Sequence, residues 1–174
     1  MVQRSMSQIK VYKNVLGDED YKNILFEVES REVAWYKGAV LYDENQSQFS
    51  HTIYVDHNVT SQMFDLFNPL YQFLDIRLFH RIRLNCNLQK SEKKILGGMH
   101  NDFYNADGTP VKEVMIAIYY ANNTDGKTLI EENGNTIEIE NEANSMVVFP
   151  NTLRHTGTTH TDKEFRYVLN INYL

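Results

Sequence analysis

Two histidines, one aspartate and one arginine carry most of the chemistry this chain can offer. His100 and Asp102 stand two apart in Gly97-Gly98-Met99-His100-Asn101-Asp102. On extended backbone, side chains two apart point to the same side, so both can reach one cation. A third ligand must come from elsewhere, and two histidines compete for the place. One is His155, in Pro150-Asn151-Thr152-Leu153-Arg154-His155-Thr156-Gly157; the other is His160. His155 is favoured, because His160 is too close to Arg166 for a comfortable hairpin between them. Two imidazoles and a carboxylate on one face of a metal leave other positions open, which suits iron(II); zinc accepts the same ligand types. A hairpin through Thr161-Asp162-Lys163-Glu164 would bring Arg166 back alongside His155. There its guanidinium can grip a carboxylate with two parallel hydrogen bonds.

The elements that must position these residues follow from periodicity. Residues 9–16 predict a strand, and Asp18 predicts the cap of a helix over about 19–29 with Tyr21, Ile24, Leu25 and Val28 on one face. Short strands follow near 32–41 and 49–55, joined by a polar loop over 43–47 that is a candidate lid. Thr60 or Ser61 caps a second helical region whose later half starts at Pro69. From Leu78 to Leu88 the period becomes two. Arg81, Arg83, Asn85 and Asn87 share one face, which is either a solvated surface or a cavity wall. Residues 111–121 read as a strand, 122–126 as a turn and 127–131 as a short strand. Asn133-Gly134 signals a hairpin, and 136–140 alternate with Ile137 and Ile139 inward. A buried run at 145–149 and a closing strand at 165–173 complete the chain. This order predicts an α+β, mainly β fold: a double-stranded β-helix (jelly roll) with supporting N-terminal helices. One domain over 1–174 is expected, helical support mostly in 1–77 and the jelly-roll core in about 78–174.

The order His100-x-Asp102, His155, Arg166 resembles the 2-oxoglutarate/Fe(II)-dependent dioxygenase superfamily. The finer pattern resembles its prolyl 4-hydroxylase-like branch, including small phage-type members. Ala117-Ile118-Tyr119-Tyr120-Ala121-Asn122 is similar to that branch's tyrosine-bearing strand. Asp125-Gly126-Lys127-Thr128 stands where the branch has a Gly-Gly-x-Thr-like turn, and Met146-Val147-Val148-Phe149 before His155-x-Gly157 resembles the strand leading to the distal histidine. The resemblance covers about 78–174. It implies that His100, Asp102 and His155 hold iron(II) and that Arg166 binds 2-oxoglutarate. It adds Tyr120, with Tyr119 open as the alternative, and Thr128 to the co-substrate site. Asn85 and Asn87 stand on the strand where relatives often have a tyrosine for the same job. The implied activity is hydroxylation of a peptidyl or small-molecule C–H bond, prolyl hydroxylation foremost, with succinate and CO2 released and ascorbate in support. A nucleic-acid or other demethylase with the same core, and a non-catalytic jelly-roll binding module, are the alternatives.

Composition narrows the partners. With 174 residues, 42% hydrophobic and 23% charged, the chain is long enough to bury a sizeable core and has globular composition. A net charge of -6 argues against nucleic acid, whose phosphates demand a basic face. No run approaches the length of a membrane span, and the N-terminus lacks a signal-peptide stretch. One cysteine, Cys86, excludes an internal disulfide framework and suits a reducing compartment, so the cytoplasm is expected.

Overall fold

A computed structural model describes residues 7–40 and 43–174, with side chains for 7–38 and 48–174. Twelve strands and two α-helices run in the order β1 Lys10–Lys13, α1 Asp18–Glu29, β2 Tyr36–Val40, β3 Asp43–Val55, β4 Asn58–Val59, a 3-10 helix Gln62–Phe67, α2 Asn68–Leu74, β5 Phe79–Leu88, β6 Ile95–His100, β7 Met115–Tyr120, β8 Thr124–Glu132, β9 Asn135–Asn141, β10 Ser145–Pro150, β11 His155–Thr158 and β12 Phe165–Tyr173. The strands form two antiparallel sheets. The larger has the order β1-β10-β7-β12-β5-β3-β2, with β4 on β3; the smaller is β6-β11-β8-β9. This is a jelly roll. No helix among the described residues is long and apolar enough to cross a membrane.

The alternation of the central strands decides what each face holds. On β7, Ala117 and Tyr119 turn toward the helices while Ile116, Ile118 and Tyr120 turn inward. On β5, Ile82, Leu84 and Cys86 join the helical side together with Ile24, Val28, Phe67 and Leu70. The two sheets pack through Ile116, Ile118, Tyr120, Ile130, Ile139, Val147, Phe149 and Val168. The inner face of the large sheet is apolar at β7 and β10 and polar at β5 and β12. That polar quarter is where the cavity lies.

Several local expectations change. The helices all fall between residues 18 and 74, and the strands before and between them, β1 and β2–β4, extend the large sheet at its edges. Residues 43–47 are the start of β3, not a loop. Gly17 rather than Asp18 is the N-cap of α1, leaving Asp18 in the first turn, where its charge still opposes the helix dipole. Ser61 does cap the 3-10 helix, accepting from Met63 N, and Pro69 stands in the first turn of α2. The expected turn at 122–126 is shorter, since Thr124–Gly126 belong to β8, with a register shift between Thr124 and Lys127. The Asn133-Gly134 hairpin forms with both residues at positive φ (52° and 77°), the geometry of a type I′ turn. Ile139 is buried but Ile137, near the hairpin tip on an edge strand, is 37% exposed.

The main topological correction concerns β11 and β12. They do not form a hairpin: β11 belongs to the small sheet and β12 to the large one. The segment between them crosses the sandwich. Arg166 therefore faces His155 from the opposite sheet instead of lying beside it.

Candidate metal centre

His100 and His155 are direct cross-strand partners, at the end of β6 and the start of β11. Opposed residues in an antiparallel pair hold their Cβ atoms about 5 Å apart, and the two rings lie 4.8 Å apart between centroids. Asp102 follows β6 by two residues. Each of the three offers a donor atom, and these atoms lie within 4.8 Å of one another.

Asp102 owes its place to Asn151, which is fully buried. Asn151 Oδ1 accepts from the backbone N–H of Asp102 (2.9 Å) and Phe103 (3.2 Å). Its Nδ2 donates to the carbonyls of Phe103 (2.8 Å) and Val111 (3.0 Å). Asn101 Nδ2 completes the clamp by donating to Asn151 O at 2.6 Å. One amide thus fixes the segment after His100 against the segment before His155.

The donor atoms are prepared for a cation. Asp102 Oδ2 accepts from Asn172 Nδ2 (2.8 Å) and Asn170 Nδ2 (3.4 Å) and pairs with Arg81 Nη2 at 3.1 Å. Its Oδ1 instead faces His100 Nε2, 3.8 Å away. Burial pushes the Asp102 carboxyl up, but His155, Arg81, Asn172 and His100 together hold it below its ordinary value. His100 Nδ1 donates to Gly98 O at 2.8 Å, which leaves Nε2 with its lone pair. His155 Nδ1 is buried with no partner, and burial lowers that imidazole to about 4, keeping it in the neutral form a metal requires. The residues therefore fit a divalent metal of the iron or zinc type, with one carboxylate oxygen and two imidazole nitrogens.

These groups open on a cavity of about 380 Å³, within the usual size range for small-molecule sites. Arg166, Thr128, Asn85, Asn87, Arg81 and Arg83 line it along with the three candidate ligands. Arg166 is 3% exposed. Its Nε donates to Asn141 Oδ1 (2.7 Å) and its Nη1 to Thr158 O (2.9 Å), so the guanidinium is fixed before any ligand arrives. A Cβ added at Gly126 would lie 3.0 Å from Arg166 Nη1. The glycine in the degenerate Gly-Gly-x-Thr-like segment is thus a matter of room for the guanidinium.

Tyr120 and Tyr119 face opposite sides, as alternation requires. Tyr120 turns inward, but its hydroxyl donates to Thr128 Oγ1 at 2.8 Å and Thr128, not Tyr120, lines the cavity. Burial pushes the Tyr120 hydroxyl up to about 12, so it remains a donor. Tyr119 lies in the helical-side core. Asn85 lines the cavity with its Oδ1 unpartnered, and Asn87 does so beside Arg166, its cross-strand neighbour. His160 is fully buried, packed near Gly126, and lies outside the three-residue cluster. Sequence reasoning missed Asn151, Asn170, Asn172 and Asn141. The signal for two of them existed: Arg166, Asn170 and Asn172 share a face of β12, and asparagine is disfavoured inside strands without a reason.

No family model and no curated protein matches the chain. Solved structures do. A Trichoplax adhaerens prolyl hydroxylase in complex with a hypoxia-inducible-factor oxygen degradation domain peptide is 13% identical, with a TM-score of 0.68 over 97% of this chain and 84% of that one. A 2OG-Fe(II) oxygenase family oxidoreductase from Burkholderia pseudomallei is 12% identical, with a TM-score of 0.67 over 95% and 85%. HygX from Streptomyces hygroscopicus, solved with nickel and 2-oxoglutarate bound, is 11% identical, with a TM-score of 0.66 over 96% and 82%. The chain has the jelly-roll fold of 2-oxoglutarate/Fe(II) oxygenases, prolyl hydroxylases among them.

Proposed function

We propose that the chain is an iron(II)- and 2-oxoglutarate-dependent dioxygenase that hydroxylates a C–H bond of a peptidyl or small-molecule substrate, with prolyl hydroxylation the leading form. The observation that carries this is the convergence of His100, Asp102 and His155 donor atoms within 4.8 Å in a cavity that also presents Arg166. A chelating keto diacid has a use for a buried guanidinium on the far side of the cavity, as the anchor for the carboxylate that does not touch the metal. The fold neighbours include both kinds of complex, one with a peptide and another with 2-oxoglutarate and the small molecule hygromycin B bound.

His100 Nε2, Asp102 Oδ1 and a nitrogen of His155 would hold the iron. With iron bound, the site would supply oxidative decarboxylation of 2-oxoglutarate by O2 to succinate and CO2, one oxygen atom going to succinate and the other into the substrate C–H bond. The protein's share is position. Arg166 takes the far carboxylate, with the Thr128 hydroxyl beside it because Tyr120 already donates to the Thr128 oxygen. Ile118, Val168 and Leu96 line the remainder with hydrocarbon and limit the water near the reacting centre. Arg81, Asn170 and Asn172 hold Asp102 Oδ2 so that Oδ1 stays available.

The test is succinate release from 2-oxoglutarate by the purified chain with iron(II) and ascorbate, alongside 2-oxoglutarate binding by calorimetry. Turnover without substrate, raised further by proline-containing peptides, is the expected result. Absence of both succinate and 2-oxoglutarate binding would leave a jelly-roll binding module.

A further inference from the structure

The cavity holds three guanidiniums, and only two have work assigned. Arg81 pairs with Asp102 and lies 4.9 Å over the Phe103 ring. Arg166 is bonded to Asn141 and Thr158. Arg83 also lines the cavity but, among the described residues, forms no ion pair and no hydrogen bond, and its Nε is buried without a partner. Asp102 is the single carboxylate lining the cavity among the described residues, and its Oδ2 is already committed to Arg81 and two asparagines. A buried or half-buried cation with no counter-charge is costly. Burial and the neighbouring Arg81 both push against Arg83's charge, and Asp102 relieves this only in part.

Register separates Arg83 from the anchor already described. Arg166 is opposite Asn87 on β5, whereas Arg83 is opposite Asn170 on β12. Four residues of strand, about 13 Å at roughly 3.3 Å per residue, divide the two levels. Beside Arg83, Asn170 orients its Nδ2 toward Asp102, and its Oδ1 is buried with no partner. The wall thus offers a free cation next to a free hydrogen-bond acceptor. Charge points the same way. On the proposed reading, iron(II), Asp102, the two carboxylates of 2-oxoglutarate, Arg81 and Arg166 leave one net positive charge, and Arg83 makes two.

We propose that Arg83 and Asn170 form a substrate subsite for a carboxylate with an adjacent N–H, the chemistry of an N-acylated amino acid or the free carboxyl terminus of a peptide. Arg83 grips the carboxylate and Asn170 Oδ1 accepts the N–H. The inference rests on the dioxygenase reading and narrows its substrate class from any C–H-bearing molecule to an anionic one.

The test uses the full chain loaded with zinc, which accepts the same donors without turnover, and one equivalent of 2-oxoglutarate. N-acetylglycine and N-acetylglycinamide are the probes, each followed by ligand-observed NMR saturation transfer. N-acetylglycine should bind and the amide should not. R83Q should lose N-acetylglycine binding by roughly tenfold or more, as expected for a lost charge-assisted contact, and R83K should recover part of it. Retained zinc and 2-oxoglutarate binding in R83Q shows an intact fold. Equal binding of acid and amide, no binding of either, or acid binding that survives in R83Q each overturns the subsite. Weaker 2-oxoglutarate binding in R83Q would also overturn it, by making Arg83 a co-substrate contact. If wild-type protein binds zinc but not 2-oxoglutarate, the dioxygenase reading falls, and this inference with it.

Discussion

Asp102 is a carboxylate with divided duties: one oxygen is tied to the protein and the other is left to a cation. Replacing Asn172 with alanine removes the 2.8 Å bond to Oδ2 and lets the carboxylate rotate. Metal affinity should fall about 10- to 100-fold while the fold persists, measured by competition against a chelating dye. Arg166→Ala separates a different function. On the proposed reading it deletes the co-substrate anchor without touching a candidate metal ligand, so 2-oxoglutarate binding should drop by roughly tenfold or more in calorimetry with metal binding retained. Equal loss of both would mean that the arginine supports the cluster and does not hold the keto acid.

At the scale of elements, the site depends on a non-repetitive stretch being held as firmly as a strand. Asn151 does this with four side-chain hydrogen bonds across residues 102–111. Asn151→Ala leaves several buried backbone groups unsatisfied and should cost on the order of 3 kcal/mol in urea unfolding, with metal affinity falling as well. No pattern in the sequence announces that role, because it depends on two segments far apart in the chain. What the sequence did carry was local. The two-residue period on β5 marked Arg81, Arg83, Asn85 and Asn87 as one face, and His100 with Asp102 as neighbours. Periodicity separates two faces of a strand but does not say which one another sheet will cover, so cavity wall and solvated surface stayed open until the small sheet was in place. The same limit produced the mistaken hairpin before Arg166. A short polar connection looks alike whether the chain turns back within one sheet or passes to the other.

Across the whole molecule, the buried imidazole couples stability to pH. His155 is held at about 4 in the folded chain, below the ordinary 6.5 it regains on unfolding. Above about pH 6.5 neither state is protonated there, and its contribution to stability is intact. Below that the unfolded state takes up the proton first, so the contribution shrinks and is lost as pH falls through about 4. Metal-free protein should therefore show a melting temperature that declines from about pH 6.5 to 4, and His155→Gln should flatten that decline. An unchanged profile in the variant would assign the acid sensitivity to other groups.

The crossing between β11 and β12 has a thermodynamic consequence. His100 and His155 come from one layer of the sandwich, and Arg166 and the asparagines behind Asp102 from the other. A cation on the first and a diacid reaching to the second would latch the layers together. Each ligand would then stabilise the geometry the other needs, and linkage makes that help mutual. Zinc should tighten 2-oxoglutarate binding by the same factor that 2-oxoglutarate tightens zinc, and amide exchange in β6 and β11 should slow most when both are present.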